Sequence, residues 1–172
     1  MVLELVATIF AGIACAGVAL LANRLTGRRL PRWLTPVAAG LGMLGVTISN
    51  EYTWFERTAA RLPDGVEVAV TVEERSWLRP WTQLLPYTKR FVAVDTATAR
   101  RHDDRPDQRL ISLYFFGRWA PVSEAPVLFD CATAQSAVLV DGARFAEDGT
   151  VADADWQAMP ADDPVLALAC GT

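Results

Sequence analysis

The chain has 172 residues and a mass of 18.8 kDa, with 16 Lys and Arg, 20 Asp and Glu, one His and three Cys. At 52% hydrophobic and 21% charged it is not a disordered, collagenous or disulfide-dense chain. A pI near 5.0 argues against nucleic acid as a partner, because phosphate binding needs clustered cationic surface. The average hides an asymmetry. Residues 1–50 carry Arg24, Arg28, Arg29 and Arg32 against Glu4 alone, a net +3, and residues 51–172 carry 12 bases and 19 acids, a net −7. Two different pieces meet near Asn50.

Val2–Ala22 is apolar except for Glu4 at its outer edge. As a helix it is about 31 Å long, the thickness of a bilayer's hydrocarbon core. A cleaved signal peptide needs Lys or Arg before the apolar run, and only Glu4 precedes it. Lipidation at Cys15 is disfavoured by Gly12, where such a site wants a large aliphatic residue.

A second run, Trp33–Tyr52, has no charge between Arg32 and Glu51. Pro36 suits its first helical turn, where the missing N–H is not needed. All four Arg of this half lie between the runs, so the positive-inside rule predicts a cytoplasmic loop, with Met1 and everything after Glu51 outside. Trp33, Tyr52 and Trp54 suit the two interfaces. The expectation is a transmembrane helical hairpin over residues 1–52 in a bacterial inner membrane, N-out and C-out. Small residues follow one stripe of each helix: Ala7, Ala11 and Ala14 in the first, Ala38, Gly42, Gly45 and Ser49 in the second. Such stripes let helix backbones approach closely. Their partner is either the other helix of the pair or a second membrane protein.

Asn50–Leu62 contains no breaker and continues the second helix, and Pro63-Asp64-Gly65 ends it as a turn, so residues 53–65 form a juxtamembrane helix and turn. Residues 66–172 are then an antiparallel β domain in the periplasm. Val66–Glu74 alternates strictly, with Val66, Val68, Val70 and Val72 on one face of a strand. Ser76–Tyr87, with Pro80 and Pro86, reads as a loop. Arg90–Asp95 is a strand, Thr96–Gln108 a polar loop, and Leu110–Gly117 a strand. Val127–Cys131 and Ala137–Val140 are short strands, with turns at Asp141-Gly142 and Glu147-Asp148-Gly149. Val165–Ala169 is a closing apolar segment. Several strands without long intervening helices predict an antiparallel sheet, making the whole chain α+β.

Cys15 falls in the first helix, far from the other two. Cys131 and Cys170 share the outer half, where the charge argument places an oxidising compartment. A bridge between them closes a loop of roughly forty residues, worth about 3–4 kcal/mol from loop-closure entropy.

Phe91-Val92-Ala93-Val94-Asp95, the strand Leu110–Phe116, Leu128-Phe129-Asp130-Cys131, Trp156 with Pro160, and Cys170 together resemble the surface-adhesin protein E-like family. The resemblance covers just under half of the chain. It implies an antiparallel sheet with a flanking helix, a bridge between the two cysteines, and binding more than catalysis.

The sequence lacks GxSxG, HExxH, a GxGxxG after a strand and a phosphate-binding GxxxxGK[ST] loop. Its one His, His102, lies in an Asp- and Arg-rich stretch. Asp148 to Asp155 has oxygen ligands at short spacing but not the pattern of a calcium loop, and reads as a solvated turn. No catalytic residue, metal or cofactor is expected. The unusual segment is Arg75, Trp77, Arg79 and Trp81, followed by Tyr87, Lys89 and Arg90. Trp and Arg suit protein interfaces and membrane headgroups alike, while Trp77 and Trp81 also suit a core beside the first strand. The functional expectation is a non-enzymatic accessory subunit or assembly factor of a larger membrane complex. The alternative, from the resemblance, is an adhesin-like binding module for an extracellular ligand or host protein.

Overall fold

The computed structural model describes residues 2–139, 144–146, 151–152 and 154–171. The chain divides into two units, Met1–Glu56 and Arg57–Thr172.

The first unit is a pair of long helices, α1 (Val2–Leu25) and α2, which runs from Leu34 on through the unit boundary to Ala59. The break between them is built by local hydrogen bonds. Arg28 N–H donates to Asn23 O at 2.7 Å and Gly27 N–H to Arg24 O at 3.3 Å. Gly27 (φ 73°) and Arg28 (φ 63°) are left-handed. This is the Schellman pattern that satisfies the last carbonyls of a helix. The Asn23 side chain then accepts the N–H of Leu30 at 3.1 Å, fixing the chain's exit. Among the described residues one helix is long and apolar enough to cross a membrane, Leu3–Leu25. In α2 the apolar stretch is diluted by Thr and Gly and closed by Asn50 and Glu51.

The helices meet at glycines. A Cβ on Gly42 would fall on the Cys15 side chain and lie 3.3 Å from the Ala11 carbonyl oxygen, and one on Gly12 would lie 2.9 Å from Met43 Cγ. Of the small residues read as stripes, Ala11, Ala38 and Gly42 are half-buried, whereas Ala7, Ala14, Gly45 and Ser49 are exposed.

The second unit is an antiparallel sheet. Its strands are β1 (Val66–Glu74), β2 (Tyr87–Asp95), β3 (Arg100–His102), β4 (Arg105–Gly117), β5 (Ala120–Asp130), β6 (Gln135–Val138) and, after a separate two-residue pair β7 (Arg144–Phe145) and β8 (Val151–Ala152), β9 (Gln157–Ala158). The order is β1-β2-β4-β5-β6-β9, with β3 beside the first half of β4 and β2 beside its second half. The turn into β1 needs Gly65. It has φ 87°, and a Cβ there would stand 2.5 Å from that of Ala97.

One face of the sheet carries Val94, Ile111, Leu113, Val127 and Phe129, and packs on Leu166 and Ala169 of a closing helix, α4 (Pro164–Gly171). On the other face Phe91 and Phe116 stack, with ring centroids 4.5 Å apart. Cys131 and Cys170 form the disulfide, Cα atoms 5.7 Å apart, tying the end of β5 to α4.

Several boundaries differ from the sequence reading. Thr96–Gln108 is not a loop: Arg100 pairs with Leu110 and Arg101 with Arg109, extending β4 backwards as an exposed hairpin. Its residues are polar because its side chains are largely solvated. Ser76–Tyr87 contains one helical turn, α3 (Trp81–Leu84), and the start of β2. Val165–Ala169 belongs to α4, whose start is set by Asp163. That carboxylate accepts the N–H of Val165 at 2.8 Å, with Pro164 in the first helical position. The alternation of β1 is broken by a register shift between Val68 and Val70. Ala69 packs toward the core there, and Val72 ends up 40% exposed. The last predicted short strand shifts to Gln135–Val138. The turns at Asp141-Gly142 and Glu147-Asp148-Gly149 lie outside the described residues.

Candidate functional site

The pairing places two connections at the same end of the sheet. Glu74, the last residue of β1, pairs with Tyr87, the first of β2. Arg90 pairs with Gly117, which in turn pairs with Ala120 across the β4–β5 hairpin. The N–H of Arg118 donates to Lys89 O at 3.0 Å, joining hairpin to strand. The β1–β2 connection and the Arg118-Trp119 tip are therefore neighbours, while Gly65, Thr96 and Asp130 belong to the opposite end.

Thr82 shapes the connection. It is fully buried. Its hydroxyl accepts the N–H of Ser76 at 2.8 Å and donates to Arg79 O at 2.7 Å. The N–H of Thr82 also donates to Arg79 O at 2.9 Å, and that of Leu85 to Trp81 O at 3.0 Å. One hydroxyl thus closes a seven-residue loop on itself and leaves Trp77 and Leu78 facing out. Trp77 is 95% exposed, Leu78 92% and Leu84 86%. Leu85 is exposed as well, and so is Trp119 across the gap.

Placement of the residues singled out in the sequence is mixed. Trp77 is not a core residue. Trp81 is half-buried, with its Nε1 shielded from solvent and without a hydrogen-bond partner among the described residues. Arg75 is exposed. The Arg79 guanidinium lies 5.8 Å from the centre of the Tyr87 ring, and Tyr87 is buried. Lys89 pairs with Glu74. Leu78, Thr82, Leu84 and the Arg118-Trp119 pair were missed. Arg118 sits over Trp119 at 4.5 Å. Their signal was in the sequence: a second Arg-Trp dipeptide directly after a strand-ending Gly, and a Leu-Leu pair between two prolines. In the first unit Arg24, Arg28, Arg29 and Arg32 are all exposed around the Schellman turn.

Beside the tip a shallow apolar groove of about 490 Å³ runs between Val72, Val92, Phe115 and Pro121, with Arg90 at its rim. A second cleft, of about 310 Å³, is lined by Asp104, Asp107, Gln108 and Asp130 at the other end. Asp130 Oδ1 accepts the N–H groups of Ala132 and Thr133, both at 3.0 Å, and Oδ2 accepts from Gln108 at 3.2 Å. Burial pushes the Asp130 carboxyl up, but the bonds from Thr133, Gln108 and Ala132 outweigh it and hold the group below the usual carboxylate range. Burial, with the charges of Glu124 and Asp95, raises the Tyr114 phenol. His102 lies on exposed β3 and accepts the N–H of Asp104 at 3.3 Å. Among the described residues no group of three His, Cys, Asp or Glu is placed to hold a metal ion. The Asp148 to Asp155 stretch lies partly outside the described residues.

No known protein family, no curated protein and no solved structure matches this chain.

Proposed function

We propose that this is a non-enzymatic bacterial inner-membrane protein, an accessory subunit or assembly factor of a larger membrane complex. In this reading α1 and α2 anchor the chain as an N-out, C-out hairpin. Arg24, Arg28, Arg29 and Arg32 face the cytoplasm, and the domain that follows lies in the periplasm. The observation that carries it is one chain joining a membrane-length helix to a domain that holds Trp77, Leu78 and Leu84 out in solvent on a fixed loop. Exposed apolar side chains held this way read as a contact surface rather than unfinished core. The disulfide supports an oxidising compartment for the domain. The exposed Ala7, Ala14, Gly45 and Ser49 leave small-residue surface for another membrane helix.

The test is solubilisation of tagged protein, at native expression, in mild detergent, followed by native electrophoresis and mass spectrometry of what co-migrates. Migration within a large assembly is the expected result. Migration as a lone monomer or dimer overturns the accessory role. Fractionation into outer membrane or medium moves the reading to an adhesin-like module with an extracellular ligand.

A further inference from the structure

We propose that the sheet end formed by the β1–β2 connection and the β4–β5 hairpin docks on an anionic lipid bilayer. Trp77, Leu78 and Leu84 enter the headgroup region while Arg75 and Arg90 meet lipid phosphates. The inference rests on the membrane-anchored part of the reading above and assigns to lipid the contact surface of Trp77, Leu78 and Leu84, leaving the small-residue helix faces for a protein partner.

Three observations favour lipid over a protein occupant. The first is shape. Trp77 and Leu78 are more than nine-tenths exposed and stand off a single turn, so they line no groove of their own. Such protrusions are buried most readily by a deformable medium, and Trp is the side chain most at home at headgroup level. The second is charge. Residues 75–90 and 117–120 contain Arg75, Arg79, Lys89, Arg90 and Arg118; Glu74, at the same sheet end, pairs with Lys89, and Arg75, Arg79, Arg90 and Arg118 keep the local balance positive in a chain of net charge −4. A cationic collar around an apolar point is complementary to an anionic surface. The third is preorganisation. The buried Thr82 hydroxyl already holds the loop closed, so little conformational freedom remains to be lost on docking.

The tether makes weak affinity sufficient. Thirteen residues lie between Tyr52 and Val66, a span of at most about 50 Å even when fully extended. A surface that binds feebly from solution is presented to an anchoring bilayer at high effective concentration.

The test uses the full chain in nanodiscs, either purely zwitterionic or with about a third phosphatidylglycerol, a fraction that gives a strongly negative surface. Hydrogen exchange is followed for peptides covering residues 76–86. Exchange is expected to slow about tenfold in the anionic discs only, a shift well within the range of local opening equilibria, and to recover at high salt, where surface charge is screened. The pair Trp77→Ser and Leu78→Ser is expected to lose this protection while peptides of β4 exchange as in the parent, which separates lost docking from lost fold. Equal exchange in the two kinds of disc overturns the proposal. So does protection that appears only with a co-purified protein, since that assigns the tip to a protein partner. A chain that does not enter nanodiscs defeats the anchor reading instead. Co-sedimentation of that same chain with preformed vesicles of the two compositions then decides the tip by itself.

Discussion

Asp130 shows how one side chain can set a corner of the molecule. It ends β5, caps the turn through Ala132 and Thr133, and ties that turn to Gln108 of β4 immediately before the disulfide. Its folded-state pKa lies below the ordinary value near 3.8. The carboxylate therefore contributes stability that is present above the unfolded pKa and is lost as pH falls through the folded pKa. Asp130→Asn is expected to cost about 1 kcal/mol at pH 7 and to flatten the acid limb of stability below about pH 4. Thermal unfolding of parent and variant from pH 7 to pH 2 measures both, and parallel curves would remove the carboxylate from this role. At this scale the sequence was only partly legible. Asp130 stands before a cysteine like any strand-ending residue. Thr82 carries no mark of burial among Pro, Gln and Leu, because its importance comes from two backbone groups that only the folded loop brings to it.

Among the elements, the helices and central strands could be read from hydropathy, and β1 matches its predicted limits residue for residue. What could not be read was pairing that owes nothing to local pattern. The polar β3–β4 hairpin is held by the backbone of β4, and α4 is apolar on almost every side, so no period reveals it. Only its Asp-Pro start, Asp163-Pro164, was there to be seen. The small-residue stripes were found in type and only partly in phase: Ala11, Ala38 and Gly42 are half-buried, Ala7, Ala14, Gly45 and Ser49 are not. Glycine at Gly42 meets Cys15, while Gly45 has nothing within 4 Å of a would-be Cβ. That difference is testable by chemistry. Gly42→Cys is expected to form a disulfide with Cys15 under mild oxidation, since a Cβ there would lie 2.9 Å from that of Cys15 and a small separation of the helices brings the pair to disulfide spacing. Gly45→Cys is expected to stay reduced. Intact-mass measurement after thiol alkylation counts the free thiols, and equal cross-linking at the two positions would refute this helix phase.

For the whole molecule the disulfide is the principal staple. The second unit has one modest core, and its closing helix reaches the sheet through Leu166, Ala169, the Arg109 hydrogen bond to Ala169 O at 3.0 Å, and Cys170. Replacing both cysteines by serine is expected to remove about 2–5 kcal/mol and to expose Ile111 and Phe129 as α4 loosens. Lowered thermal midpoint and faster exchange in β4 and β5 are the readouts; an unchanged midpoint would mean that packing alone holds the helix. Membrane length, charge asymmetry, sheet class and cysteine pairing were all visible in the sequence. The concentration of Trp, Leu and Arg at one sheet end was not, because its two halves lie some thirty residues apart and meet only through the register of β2 with β4.

Cys131 and Cys170 are 39 residues apart, and the second supplies the helix that closes the core. The pairing therefore gives the domain an order of maturation. Cys131 must pass through synthesis as a thiol, beside a sheet whose apolar face is still open, until α4 arrives. Cys15 lies in the first unit, so the second unit holds no wrong cysteine to bond with. Errors would come from pairing between chains rather than within one. The cell's thiol oxidants can thus act early without scrambling the fold, and crowding of newly made chains becomes its main hazard.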